Sequence, residues 1–210
     1  MECFAAEERI MRLGILGGTF DPIHLGHLHI AQAAADEFSL PRVLLMPSCI
    51  SYLKAGKQIT PAGIRLEMVR AAATADDRFI CDDMEIKRGG NSYTCETVRG
   101  LEERYDALCD FYYIIGADTL LSIHTWREFE TILKRCILTV ASRDGADDPM
   151  RERAELLSEK YGARIKFLSC PEADISSTKI RAMTASGEDI SSLVPGPVLE
   201  IIKANKLYVR

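Results

Sequence analysis

The 210-residue sequence predicts an α/β fold, a doubly wound parallel sheet in a single domain. Short apolar runs of strand length alternate with segments of helical period along most of the chain, the pattern of consecutive βα units. Turn-forming Gly, Pro, Asn and Ser punctuate the junctions. With 47% hydrophobic side chains the chain can bury a full core, and its length fits one domain.

The first unit organises the rest. Arg12–Leu16 reads as a buried strand that Gly17 and Gly18 end. From Leu25 the apolar spacing through Leu28, Ile30, Ala31, Ala34 and Phe38 reads as a helix. A strand–glycine–helix junction presents main-chain N–H groups and the positive end of a helix dipole, so it suits a phosphate. His24 precedes this helix and His27 lies in its first turn, three residues apart and on one side. The run is neither a dinucleotide fingerprint nor a P-loop: Gly14, Gly17 and Gly18 lack the G-x-G-x-x-G spacing, and no Gly-Lys-Ser/Thr follows.

Arg42–Met46, between Pro41 and Pro47, reads as a second parallel strand. The loop after it carries Lys54 and Lys57, either solvated or at the ligand end of the sheet. Ile64–Ala73 reads as helix, with Arg65 on it, and Phe79–Cys81 as a third strand. Gly89, Gly90 and Asn91 mark a turn before a helix over Thr94–Tyr105. Phe111–Asp118 is the most strand-like run, ended by Gly116–Asp118. Asp118 there is either a surface cap or an acceptor for ribose hydroxyls. Trp126, the only tryptophan, either packs in the core or stacks on an aromatic base.

Cys136–Ala141 reads as a fifth strand, ending at Ser142-Arg143-Asp144-Gly145. Pro149–Tyr161 is an amphipathic helix and Ile165–Leu168 a sixth strand. Asp174–Arg181 opens another helix. Ser176, Ser177 and Thr178 serve there as caps, or with Arg181 as a second anion cradle. A last helix opens near Pro195–Pro197 and leads to a short extended end. Residues 1–10 are expected to be an extension ahead of a domain spanning 11–210.

Composition narrows the function classes. A net charge of −5 carries no general basic footprint, which favours a small nucleotide over nucleic acid. No run approaches the ~20 apolar residues of a membrane helix. The seven cysteines are scattered, without a C-x-x-C pair, and read as reduced cytoplasmic thiols. No Ser–His–Asp or Cys–His arrangement points to a covalent intermediate.

The run GGTFDPIHLGHL resembles the nucleotidyltransferases of the HIGH superfamily, as does ISSTKIR at Ile175–Arg181. Together with RLEM (Arg65–Met68), NSYTCET (Asn91–Thr97), IIGADTL followed by Trp126, and VLEIIKANKLY, it resembles the bacterial nicotinate-nucleotide adenylyltransferases over essentially everything after Met11. This resemblance implies a Rossmann-like, cytoplasmic enzyme of NAD biosynthesis. Its substrates would be ATP with Mg²⁺ and nicotinate mononucleotide, with no nucleic acid or membrane partner; homo-oligomers are compatible with it. It implies catalytic roles for His24, His27, Lys54 and Arg181, and ATP contacts from Gly17, Gly18, Thr19, Phe20, Ser176, Ser177, Thr178, Gly116 and Asp118. Tyr93, Thr94, Trp126 and Arg143 would hold the mononucleotide, with no protein-bound metal. The chain departs from the family at Ser51-Tyr52-Leu53-Lys54, where Pro-Pro-His-Lys is usual. His29 and His124 are expected to be structural. A pantetheine-phosphate adenylyltransferase is the nearest alternative on this scaffold, and a non-catalytic nucleotide sensor the alternative of a different class.

Overall fold

The computed structural model describes residues 11–50, 59–105, 109–142, 147–170 and 175–209. The extension 1–10, Lys54 with its loop, and Arg143 therefore lie outside the described residues.

Six strands form one parallel sheet: β1 (Met11–Gly18), β2 (Arg42–Pro47), β3 (Phe79–Cys81), β4 (Cys109–Gly116), β5 (Cys136–Ser142) and β6 (Arg164–Ser169). Their order is β3-β2-β1-β4-β5-β6, so the chain winds one way from β1 to β3 and the other way from β4 to β6. The reversal between β1 and β4 opens a crevice at the carboxyl ends of those strands, where doubly wound sheets take ligands. Ile15 pairs with Tyr113 across this switch point.

The four inner strands β2, β1, β4 and β5 are buried on both faces along their middles, so those runs are almost continuously apolar, yet their side chains still alternate between two cores. Leu16, Val43, Leu45, Tyr112 and Ile114 face one core, closed by α1 (Leu25–Glu37), α2 (Ala62–Ala73), α8 (Ser177–Ala185) and α9 (Gly196–Ala204). Leu13, Ile15, Leu44, Met46, Phe111, Tyr113 and Ile115 face the other. That side is closed by α4 (Thr94–Tyr105), α5 (Ala117–Ser122), α6 (Phe129–Arg135) and α7 (Asp148–Tyr161); a short α3 (Met84–Arg88) precedes α4.

Local chemistry sets the helix ends. The Asp147 carboxylate accepts the Met150 N–H at 3.0 Å, Pro149 lies in the first turn, and Gly162 closes α7 at φ 67°. On α1, alanines at 31, 33, 34 and 35 combine high helix propensity with close approach to the sheet.

Three expectations are corrected. β1 does not stop at Leu16: Gly17 and Gly18 continue the ladder, paired with Met46 and Pro47. Asp118 is not on the strand tip but in the first turn of α5, because the chain turns helical directly after Gly116. The segment after α9 is not extended; it turns back, with Lys206 at φ 49° and Tyr208 at φ 62°.

Candidate active site

A cavity of about 240 Å³ lies at the switch point, lined by Gly17, His27, Tyr113, Gly116, Thr119 and Trp126 among others. β1 and β4 bring the two glycines to it, α1 brings His27, and the turn after α5 brings Trp126. Trp126 is half-buried and meets Tyr113 edge-on, ring centroids 6.3 Å apart, so it packs against the strand and also walls the cavity.

The turn between β1 and α1 shapes the histidines. His24 is the N-cap of α1, and its main-chain N–H donates to Nδ1 of His27 at 3.2 Å. Because His27 Nδ1 accepts this bond, its proton sits on Nε2. The two imidazoles stack with centroids 3.6 Å apart, and Phe20 closes the other side of His27 edge-on at 5.0 Å. Burial lowers the His24 imidazole to about 4, so it is neutral near pH 7, and its Nδ1 has no hydrogen-bond partner among the described residues. The glycine between the histidines suits this packing: a Cβ on Gly26 would start 3.1 Å from His24 Nδ1, so the imidazole would have to give by a few tenths of an ångström. Phe20 itself is buried in the core at φ 50°, which leaves only its main chain for a nucleotide.

The start of α8 docks against the same turn from the other side. Ser176 is its N-cap, accepting from Lys179 N–H at 3.2 Å, as the capping reading expects. Ser177 Oγ donates to Pro22 O at 2.9 Å. Arg181 Nη1 donates to Asp21 O at 2.8 Å and Nη2 to Thr178 Oγ1 at 3.2 Å, which leaves further guanidinium N–H groups for an anion. Arg181 lines a second cavity, of about 430 Å³, with Asp21, Thr60, Lys206 and Tyr208. His27 and Arg181 thus stand on two sides of one loop rather than in one pocket.

Asp118 is exposed, its carboxylate folded back over Gly116. Tyr93 and Thr94 do not line the cavity directly. Thr94 Oγ1 lies 3.3 Å from the Tyr113 hydroxyl, and the Tyr93 ring sits under the Arg127 guanidinium at 4.7 Å. They form the layer behind Tyr113 and Trp126. His29 is exposed on α1, and His124 Nδ1 lies 3.1 Å from Arg153 Nη2, both away from the β1–α1 turn.

Two contributors escaped the sequence reading. Tyr113 was read only as a strand residue. Arg65 is 1% exposed and donates to three carbonyls, Thr19 O at 2.6 Å, Cys49 O at 2.8 Å and Thr60 O at 2.8 Å. It thereby ties the loops after β1 and β2 together. The signal for it was the spacing: Arg65, Met68, Val69 and Ala72 form the buried stripe of α2.

Residues 15–183 match the model of the Cytidylyltransferase-like family. A protein of Clostridium tetani is 40% identical over 195 residues, covering 92% of this chain and 97% of its own length. One from Clostridium acetobutylicum is 41% identical over 196 residues, covering 93% and 98%. Each is described as a "Probable nicotinate-nucleotide adenylyltransferase". This chain belongs to the nicotinate-nucleotide adenylyltransferase family. The fold agrees: the structure of Plasmodium falciparum nicotinic acid mononucleotide adenylyltransferase complexed with NaAD superposes with a TM-score of 0.76 at 17% identity, covering 94% of this chain and 97% of that one. In the adenylyltransferase fold seen here, the His24–His27 turn and the Gly116–Asp118 turn are the two lips of the switch-point crevice.

Proposed function

We propose that ATP binds along the His24–His27 turn and nicotinate mononucleotide toward Tyr113 and Trp126. The enzyme transfers the adenylyl group of ATP to nicotinate mononucleotide, giving nicotinate adenine dinucleotide and pyrophosphate. The observation that carries this is identity of about 40% with relatives of that name over nearly the whole chain.

In our reading a 5′-phosphate oxygen of the mononucleotide attacks the α-phosphorus of ATP in line. The new P–O bond forms as the bond to the β-phosphate bridge breaks, and pyrophosphate leaves with that electron pair. The protein's task is to position two anions and neutralise the charge that moves between them. His27 offers its Nε2–H, and stacking on His24 fixes the plane in which that donor points. Main-chain N–H groups of Gly17–Thr19, the spare N–H groups of Arg181, the hydroxyls of Ser176–Thr178 and Lys54 complete the phosphate side. Asp118, over Gly116, takes a ribose hydroxyl. Mg²⁺ would come with ATP, where it would neutralise phosphate charge. Among the described residues the imidazoles, hydroxyls, main-chain N–H groups and the Arg181 guanidinium suit phosphate oxygens; the carboxylates beside them are Asp118, folded over Gly116, and Asp21, which accepts from Tyr208.

Specificity for the acid is assigned to N–H donors at the start of α4, around Tyr93 and Thr94, together with the Trp126 segment and Arg143. N–H groups aimed at a carboxylate make charge-assisted bonds, whereas a carboxamide NH₂ would set donor against donor. The test supplies ATP and Mg²⁺ with nicotinate mononucleotide, nicotinamide mononucleotide or pantetheine phosphate and follows pyrophosphate release. The acid is expected to be preferred over the amide in kcat/KM by on the order of a hundredfold. Parity, or preference for the amide, refutes the donor-lined pocket; turnover of pantetheine phosphate alone refutes the assignment. We also infer a cytoplasmic setting, since the described cysteines are free thiols.

A further inference from the structure

We propose that Tyr208, acting through Asp21, is a positioning residue for the ATP side of this site. The segment after α9 latches the β1–α1 turn in the conformation that presents His24 and His27. The proposal rests on the adenylyl-transfer reading and extends it to a part of the chain far from the cavity.

Asp21 lies three residues before His24, is 4% exposed, and is the node where three distant segments meet. Its Oδ1 accepts the Tyr208 hydroxyl at 2.7 Å, and its Oδ2 accepts the Thr60 N–H at a longer 3.4 Å. Thr60 Oγ1 also reaches the Tyr208 oxygen at 3.4 Å. The carbonyl of the same Asp21 is held by Arg181. Tyr208 reaches this position only because the chain turns back after α9 through two residues of positive φ, Lys206 and Tyr208 itself. Two strained residues in three, ending on one hydroxyl–carboxylate bond, mark this as a specific contact rather than a loose end.

The chemistry gives the contact a purpose. The turn that is to receive a polyphosphate carries a buried carboxylate. An anion in that place repels the phosphates unless its charge is satisfied from behind. Tyr208 supplies its proton to that carboxylate, and the buried charge of Arg65 acts on it from α2. Burial carries the Tyr208 hydroxyl well above the ordinary phenol range, so it remains a donor at any working pH. Removing it leaves Asp21 with the long bond from Thr60 as its remaining side-chain hydrogen bond among the described residues. The carboxylate is then free to turn toward the ligand.

The test replaces Tyr208 by Phe, which keeps the ring and deletes the hydroxyl. The Kd for ATP, measured by calorimetry without the acceptor, is expected to rise about tenfold, and the KM for ATP with it. The KM for nicotinate mononucleotide, bound on the β4 side, should stay within about twofold. In an Asp21→Asn background, where no charge needs the hydroxyl, the same Tyr208→Phe change should move ATP affinity by less than about twofold. An ATP affinity unchanged in Tyr208→Phe overturns the latch. So does a fall in melting temperature and turnover with both KM values intact, the signature of a purely structural contact. If the wild type binds ATP but makes no dinucleotide while Tyr208→Phe still weakens ATP binding, the acceptor assignment fails and the latch stands. A wild type that does not bind ATP overturns both.

Discussion

Replacing Gly17 by alanine should cost stability through one identifiable atom. Gly17 lines the cavity opposite Tyr113, and a methyl group there would start 2.8 Å from the Tyr113 hydroxyl oxygen. An ordinary carbon–oxygen contact is longer, so one partner must move by roughly 0.5 Å. Tyr113 has little freedom to do so. It is 5% exposed on the central strand β4, edge-on to Trp126, with its hydroxyl beside Thr94. Overpacking at such a site costs about 1–3 kcal/mol, and in a chain of this size each kcal/mol lowers Tm by about 2–4 °C, so a fall of about 2–12 °C is expected. The hydroxyl is the whole obstacle: the next nearest atom, Tyr113 Cζ, would lie at an ordinary 3.7 Å. Tyr113→Phe alone loses the long hydrogen bond with Thr94 Oγ1, and its own melting point sets the reference for the double variant. The double variant Gly17→Ala/Tyr113→Phe should therefore melt close to Tyr113→Phe, a favourable coupling of about 1–3 kcal/mol, the whole cost of the single Gly17→Ala change. Thermal and urea denaturation of the four proteins measure the cycle. Turnover should stay low in the double variant if Gly17 receives phosphate as proposed, since the methyl group still stands in the cavity. A Gly17→Ala protein as stable as wild type refutes the reasoning, and so does a double variant that melts as low as Gly17→Ala.

His27→Ala should lower kcat roughly a hundredfold, about 3 kcal/mol of transition-state stabilisation, while the melting temperature falls only by the loss of one capping acceptor; steady-state kinetics with unchanged turnover would remove His27 from the mechanism. The neutral His24 makes stability depend on pH. Its folded pKa of about 4 lies below the unfolded value of 6.5, so the unfolded chain binds the extra proton. The contribution is complete above pH 6.5 and is lost as pH falls toward 4, by about 3 kcal/mol in all. Urea titrations of wild type and His24→Gln across that window should converge at low pH, and parallel curves would contradict the assignment. Arg181→Lys should raise the KM for ATP and lower kcat despite keeping the charge. A lysine cannot hold Asp21 O and Thr178 Oγ1 while offering a planar pair of donors to phosphate; kinetics at varied ATP concentration decide it, and unchanged constants would leave Arg181 with no role in ATP binding.

Elements whose signal is local were legible in the sequence. The third strand, Phe79–Cys81, and α4, Thr94–Tyr105, begin and end where composition and turn chemistry put them, and α1 begins at Leu25. Family membership was equally legible, because a phosphate-binding turn needs particular residue types at fixed short spacings: glycines, two histidines three apart, and hydroxyls one turn ahead of an arginine. The limits of β1 were not legible, since glycine has poor strand propensity on its own and Gly17 and Gly18 are strand only by pairing with Met46 and Pro47. Nor was the boundary at Asp118, where a helix follows the strand without a loop. What tertiary structure alone decided is which distant residues share a site. Strand order sets β1 beside β4 and so places His27 across one cavity from Trp126, although nearly a hundred residues separate them in the chain. The same folding buries Arg65 on three carbonyls and Tyr208 on Asp21. No periodicity encodes such pairs. A hydrogen bond between residues 187 positions apart depends on where every intervening element packs, whereas a helix or a strand depends mainly on its own few residues.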